Sequence, residues 1–285
     1  MPLFETSTLF ILMYAYQKFT GDQTWAHRYQ SLLEGYAEYL AVNSLYPASQ
    51  LISVDAIPAT PNQTALAIQS TIGLKAASIV TGNSTYASLA ASFAHTIYDD
   101  ALGLDGPTPA ESTHFTYNYG KDTTWNVLFA SYSDVLLGLN TFPPAAWEMQ
   151  SNWYLSQIQG GGLPFAGPIT DTNYTGTGIT WGLTDWSKHF SVFSFSFFLL
   201  FVSADKSQPK PDLVAAGASS EAVQEAVVNT THAFMTNGLN TIPFGTKYNV
   251  EGPEVGVWLG NEARSTVGSH FSLLVLDQGV WGTTF

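Results

Sequence analysis

The feature that most constrains this chain is an internal repeat. Thr20-Gly-Asp-Gln-Thr-Trp-Ala26 and Thr81-Gly-Asn-Ser-Thr-Tyr-Ala87 share the pattern T-G-(D/N)-x-T-(W/Y)-A, 61 residues apart. Each copy sits between two stretches with helical periodicity. Gly21 and Gly82 suit the left-handed residue that closes a helix, and Asp22 and Asn83 suit the N-cap of the next. Two such turns at one spacing predict helical hairpins laid side by side.

The period continues along the chain. Helix starts are expected near Thr6, at Pro61 or Asn62, near Asp122 and near Thr184, each followed by an apolar-rich stretch at 9–19, 65–80, 125–139 and 190–202. Between them lie helices with one polar face, at 25–40, 86–97 and 145–158, and a late pair fits 219–237 and 263–276. Helices that are apolar nearly all round belong inside and the amphipathic ones outside. The expected fold is therefore all-α, an (α/α)6-type toroid of hairpins in a single domain over 1–285. About nine helices can be counted, so one or two N-terminal hairpins are expected to be missing. Short β-hairpins are expected in loops, at 50–57, 114–119 and 242–250, and Gly160-Gly-Gly162 with Pro164 and Pro168 marks a long loop.

Composition removes several function classes. The 285 residues carry 9 Lys plus Arg against 22 Asp plus Glu, a formal charge of −13. Only Arg28 and Arg264 are arginines, which excludes a phosphate-neutralising face and with it nucleic-acid binding. The same balance repels membrane surfaces, and the most apolar stretch, 190–202, is shorter than the ~20 residues of a membrane span. With no cysteine there is no disulfide framework, thiolate catalysis or cysteine-ligated zinc. Charged residues make up 11% of the chain, against about 25% in ordinary domains. Small hydroxylated residues replace them, and sequons stand at Asn62, Asn83, Asn173 and Asn229. A secreted, extracellular, glycosylated protein is expected.

Loops leading into the inner helices share one mouth of a toroid. The polar groups near those positions are Glu5, Asp55, Asn62, His114, Lys121, Asp122, Asp185, His189, Arg264 and His270, accompanied by Tyr117, Tyr119, Trp125, Trp181, Trp186 and Tyr248. An acidic, aromatic-lined mouth suits a small polar substrate, an amino acid or a sugar. Glu5, Asp122 and Asp185 also suit helix starts simply as caps. There is no H-E-x-x-H, no G-x-S-x-G and no P-loop, and the six histidines do not fall at metal-ligand spacing. What remains is hydrolysis by carboxylates acting on water, with no metal and no cofactor.

The motifs resemble the secreted fungal glutaminase A-like family, in its C-terminal helical-barrel region. Met1-Pro-Leu-Phe-Glu-Thr-Ser-Thr-Leu9 is similar to the family's M-P-(V/L)-E-E-(S/T)-G-N-M. Gln50-Leu-Ile-Ser-Val-Asp55 with Asn62-Gln-Thr-Ala-Leu-Ala67 resembles its Q-L-S-T-D-D and N-x-T-N-L-A segments. Tyr117-Asn-Tyr-Gly120, Trp125, Leu136-Leu-Gly-Leu139, Phe142-Pro143, Gly162-Leu-Pro164, Thr184-Asp-Trp186, Pro243-Phe244 with Tyr248, and Ala263-Arg264 follow in the same order. The resemblance implies hydrolysis of L-glutamine to L-glutamate and ammonia. Asp185 or Asp55 would be the base and Glu5 the acid; Arg264 would hold the substrate carboxylate, and Asn62, Tyr119, Trp186 and Tyr248 would line the substrate site.

The sequence departs from the family where acids pair. Phe4 stands beside Glu5 and Val54 beside Asp55, Ser7-Thr8 replaces Gly-Asn, Gly245-Thr-Lys247 replaces a Ser-Asp-Trp stretch, and Ser265 replaces a proline. Loss of one of two cooperating carboxylates removes about 10²–10⁴-fold of acid–base help. Two alternatives therefore stand beside the amidohydrolase: a carboxylate-pair glycoside hydrolase on the same barrel, and a non-catalytic binding or structural relative. In the last case the chain would associate with itself or with the missing N-terminal segment.

Overall fold

The computed structural model describes residues 2–50, 59–128, 130–157 and 166–167. These form seven α-helices and one two-stranded ribbon. The helices are α1 (Pro2–Thr20), α2 (Thr24–Arg28), α3 (Gln30–Asn43), α4 (Thr64–Thr81), α5 (Ser84–Tyr98), α6 (Ala130–Leu136) and α7 (Pro144–Gln157). Strands β1 (Trp125–Asn126) and β2 (Ala166–Gly167) pair antiparallel, Trp125 opposite Gly167 and Asn126 opposite Ala166.

The repeated turns are built alike. Gly21 and Gly82 have φ of 75° and 73°, and a Cβ on either would touch nothing, so backbone conformation rather than space calls for glycine. Thr20 donates its hydroxyl to Tyr16 O and Thr81 to Ala77 O, and each then accepts the N–H two residues on. Asn83 is the N-cap of α5, its side chain accepting from Thr85 N at 3.1 Å. Asp22 makes the matching bond to Thr24 N at 2.9 Å, but Gln23 occupies the N-cap of α2. The expected helix at 25–40 is likewise broken at Tyr29 into α2 and α3.

Helix α4 is the centre of the described fold. Its buried residues run around the whole helix, from Thr64 to Val80, and it packs on α1, α3, α5 and α6. The approach to α1 is close: a Cβ on Gly73 would fall 2.4 Å from the Cβ of buried Ser7, so only glycine lets the two backbones come this near. Gln69 donates to Thr8 Oγ1 at 3.1 Å across the same seam. The outer helices are linked through Glu34 of α3, whose carboxylate accepts from Gln30 at 2.8 Å and from the Tyr86 hydroxyl of α5 at 3.0 Å. Burial, reinforced by that carboxylate, pushes the Tyr86 hydroxyl up to about 12.

Several expectations change. No helix begins at Asp122; residues 121–124 form a turn, Trp125–Asn126 is strand, and the third apolar stretch is helical only over α6. Thr124 accounts for this, since its hydroxyl and carbonyl both serve Tyr117 N and so hold the chain extended beside the preceding loop. Among the described residues, loop pairing outside the β1–β2 ribbon consists of isolated bridges Gln50↔Thr60, Gln63↔Asn118 and Leu104↔Phe115, and most of the expected pair at 50–57 lies outside those residues. Helix α1 was expected to be apolar and enclosed all round, yet it exposes Leu12, Tyr16 and Phe19 on the face opposite its core stripe. Expected elements at 184–202, 219–237, 242–250 and 263–276 lie outside the described residues, as does Gly160-Gly-Gly162.

Candidate active site

Helices α1 and α4 run alongside each other with their first turns at the same end. Leu3 N, in the first turn of α1, donates to Gln50 Oε1 at 3.0 Å. Gln63, which precedes α4, donates its side-chain amide to Gln50 O at 2.7 Å and to Thr60 O at 3.0 Å. At the other end, Gln30 Nε2 donates to Thr81 O, the last residue of α4. The positive ends of two helix dipoles thus share one side of the fold, which favours an anionic or electron-rich ligand there.

Of the eight residues expected to act on substrate, three fall among the described residues, and all three lie at this end. Glu5 is exposed on the first turn of α1. Asn62 adopts the left-handed conformation, φ 56°, with its N–H on Pro47 O at 2.8 Å and its carbonyl accepting from Tyr119 N at 3.1 Å. Tyr119 donates its hydroxyl to Leu45 O at 2.8 Å and meets Tyr46 edge to face. Burial pushes its hydroxyl pKa up, so Tyr119 offers a neutral aromatic surface and no acid. Asp55, Asp185, Trp186, Tyr248 and Arg264 lie outside the described residues, as do the sequons at Asn173 and Asn229. Asn83 is at the opposite end, its side chain capping α5 and reaching Glu34 Oε2 at 3.5 Å.

His114 stands apart from this group. It is 3% exposed, stacked on the Trp153 ring at 4.0 Å, with Nδ1 2.8 Å from Thr113 Oγ1 and 3.3 Å from Asp105 Oδ2, and Nε2 3.2 Å from Thr124 O. Burial lowers its pKa against the pull of Asp105. Asp105 is raised by burial, but hydrogen bonds from the His114 and Thr113 backbones and the Thr113 hydroxyl outweigh this and bring it below its ordinary value. With both ring nitrogens engaged, His114 fastens the 105–124 segment to α7 and is not poised as a base. Tyr117 is fully buried, and Trp125 packs on Trp153 and Tyr154; both belong to the core.

Sequence reasoning passed over Gln63 and Asn118. Asn118 donates its side-chain amide to Thr60 Oγ1 at 2.9 Å and to Pro61 O at 2.7 Å, and Gln63 holds the two backbone carbonyls already described. Both lie inside the motifs that carry the resemblance, one residue after Asn62 and one before Tyr119, which is the signal that could have found them. Among the described residues no group of three or more His, Asp or Glu is placed to hold a metal ion, and no helix is long and apolar enough to cross a membrane.

The glutaminase A six helical-hairpin domain matches residues 1–196 and 209–274, nearly the whole chain. The chain belongs to that family. Glutaminase A of Aspergillus oryzae is 30% identical over 186 residues, which cover 64% of this chain and 26% of the fungal protein. This family member thus spans about a quarter of the length of the curated relative it matches. No solved structure matches it.

Proposed function

We propose that this family member is a secreted amidohydrolase that converts L-glutamine to L-glutamate and ammonia, on an α/α toroid whose mouth is the end where α1 and α4 begin. The reading is supported by the placement of Glu5, on the first turn of α1, at the same end as the hydrogen-bonded pair Asn62 and Tyr119, in a chain of the glutaminase A family. Asp185 or Asp55 removes a proton from water, the oxygen attacks the side-chain amide carbon, and the tetrahedral intermediate collapses as Glu5 delivers a proton to the departing nitrogen. Atoms balance as glutamine plus water giving glutamate plus ammonia. Arg264 binds the substrate α-carboxylate with its two-pronged guanidinium, a geometry lysine lacks. Asn62, Tyr119, Trp186 and Tyr248 enclose the substrate.

The test is ammonia release from L-glutamine by the parent chain and by Asp185→Asn and Asp55→Asn. Loss of about 10²-fold or more in kcat for at least one variant is expected of a base. Release that survives both substitutions would exclude these carboxylates.

A second, non-catalytic reading is favoured by one observation. Leu12, Tyr16 and Phe19 on α1, and Tyr29, Leu32 and Tyr36 before and along α3, are all at least 40% exposed and recur at helical spacing. A binding protein would use that surface to pair with a second copy of itself. Sedimentation equilibrium showing a dimer, with no ammonia released, would favour it over hydrolysis.

A further inference from the structure

Two glutamines join the starts of α1 and α4. Gln63 is fully buried, and its side-chain NH2 group donates twice, to Gln50 O and Thr60 O, while its Oε1 is buried with no hydrogen-bond partner. A buried acceptor left unmatched costs stability, about 1–3 kcal/mol. Its two donated bonds are what an apolar side chain of the same size could not supply. Gln50 continues the connection: its Oε1 accepts from Leu3 N, two residues before Glu5, and its Nε2 reaches the Tyr39 hydroxyl of α3 at 3.4 Å. One residue to the other side of Gln63, Asn62 is held by Pro47 O and by Tyr119 N.

We propose that Gln63 and Gln50 are positioning residues of the candidate active site, an amide relay that ties the first turn of α1, which bears Glu5, to the residues leading into α4, which include Asn62. The inference rests on the reading that this end is the active site. Its physical content is separate, because the relay sets a distance whether or not the site is catalytic. The alternation is specific: Gln63 supplies only donors, Gln50 receives on its backbone carbonyl and on Oε1, and α1 presents a backbone N–H that has no partner within its own helix. A methionine at 63 keeps the volume and removes both donors. A leucine at 50 removes the acceptor for Leu3 N and leaves the backbone carbonyl in place.

The chain has no cysteine, so a pair of spin labels can be placed without background. Labels at Glu5→Cys and Asn62→Cys report the separation of the two starts by pulsed dipolar spectroscopy. A single narrow distribution is expected in the otherwise unchanged protein, and a broad or displaced one when Gln63→Met or Gln50→Leu is added. In unlabelled protein, the same two substitutions should lower kcat for glutamine by about 10- to 100-fold while KM changes little, as for a catalytic group moved by about an ångström. Gln63→Glu should lose activity at neutral pH and recover toward the parent as the solution is acidified, because a protonated carboxyl regains one donor. If the parent releases no ammonia, the hydrolase reading fails while the label distances still decide the relay. Distances that are unchanged in both Gln63→Met and Gln50→Leu would overturn it, as would an unchanged kcat in an active enzyme.

Discussion

At the scale of single residues, buried polar side chains fasten the loops. Asp134, 1% exposed near the end of α6, accepts from Thr141 N at 2.9 Å, Phe142 N at 3.2 Å and Trp147 Nε1 at 3.3 Å. Burial raises its pKa, and these donors draw it back part of the way. Asp134→Ala strands three donors and should destabilise by about 3 kcal/mol in urea unfolding, with Asp134→Asn costing less because one acceptor oxygen remains. Equal losses for the two variants would mean that volume, not hydrogen bonding, is what Asp134 provides. His114 gives a pH dependence of defined sign. Its folded pKa lies below the unfolded value of about 6.5, so the stability it contributes is complete above that value and is lost as pH falls through the folded pKa. The urea midpoint of the parent should therefore drop between pH 7.5 and 5 more steeply than that of His114→Phe, which keeps the ring stacked on Trp153 and does not titrate. Parallel slopes would contradict a buried neutral imidazole.

At the scale of elements, the repeat carries most of what the sequence discloses. Gly82→Ala places a Cβ on a left-handed residue and should cost about 1 kcal/mol, and Asn83→Ala, which removes the cap of α5, about the same. Thermal unfolding checks both, and a neutral Gly82→Ala would show that the turn does not need its positive φ. The helices α4 and α5 were legible because their apolar spacing is long and the turn between them uses Gly and Asn in the expected places. The 121–126 segment was not. Its Trp125, Val127 and Leu128 look like the start of an inner helix, but Thr124 commits the backbone to Tyr117, a residue whose proximity no local pattern reveals. The break at Tyr29 was hidden for the opposite reason: α2 and α3 form one continuous amphipathic pattern, and the interruption is only in the backbone, at φ −113° and ψ 17°.

At the scale of the molecule, α1 and α4 lie against each other with their starts joined through Gln50 at one end. The 61-residue period pointed to hairpins laid side by side, and the structure puts Glu5 and the hydrogen-bonded pair Asn62 and Tyr119 at the end where α1 and α4 begin. The role of Gln63 and Gln50 was not readable, because glutamine has no patterned signature and its value here lies in contacts 13 and 47 residues away. Under the proposed function, glutamine is hydrolysed at the end bearing Glu5. The most direct test is ammonia release from L-glutamine by the parent chain, by Glu5→Gln, and by Asn83→Ala as a control at the opposite end. Release by the parent, loss of about 10²-fold or more in Glu5→Gln, and near-parent activity in Asn83→Ala are expected. No release from a folded parent chain, or full activity in Glu5→Gln, would contradict it.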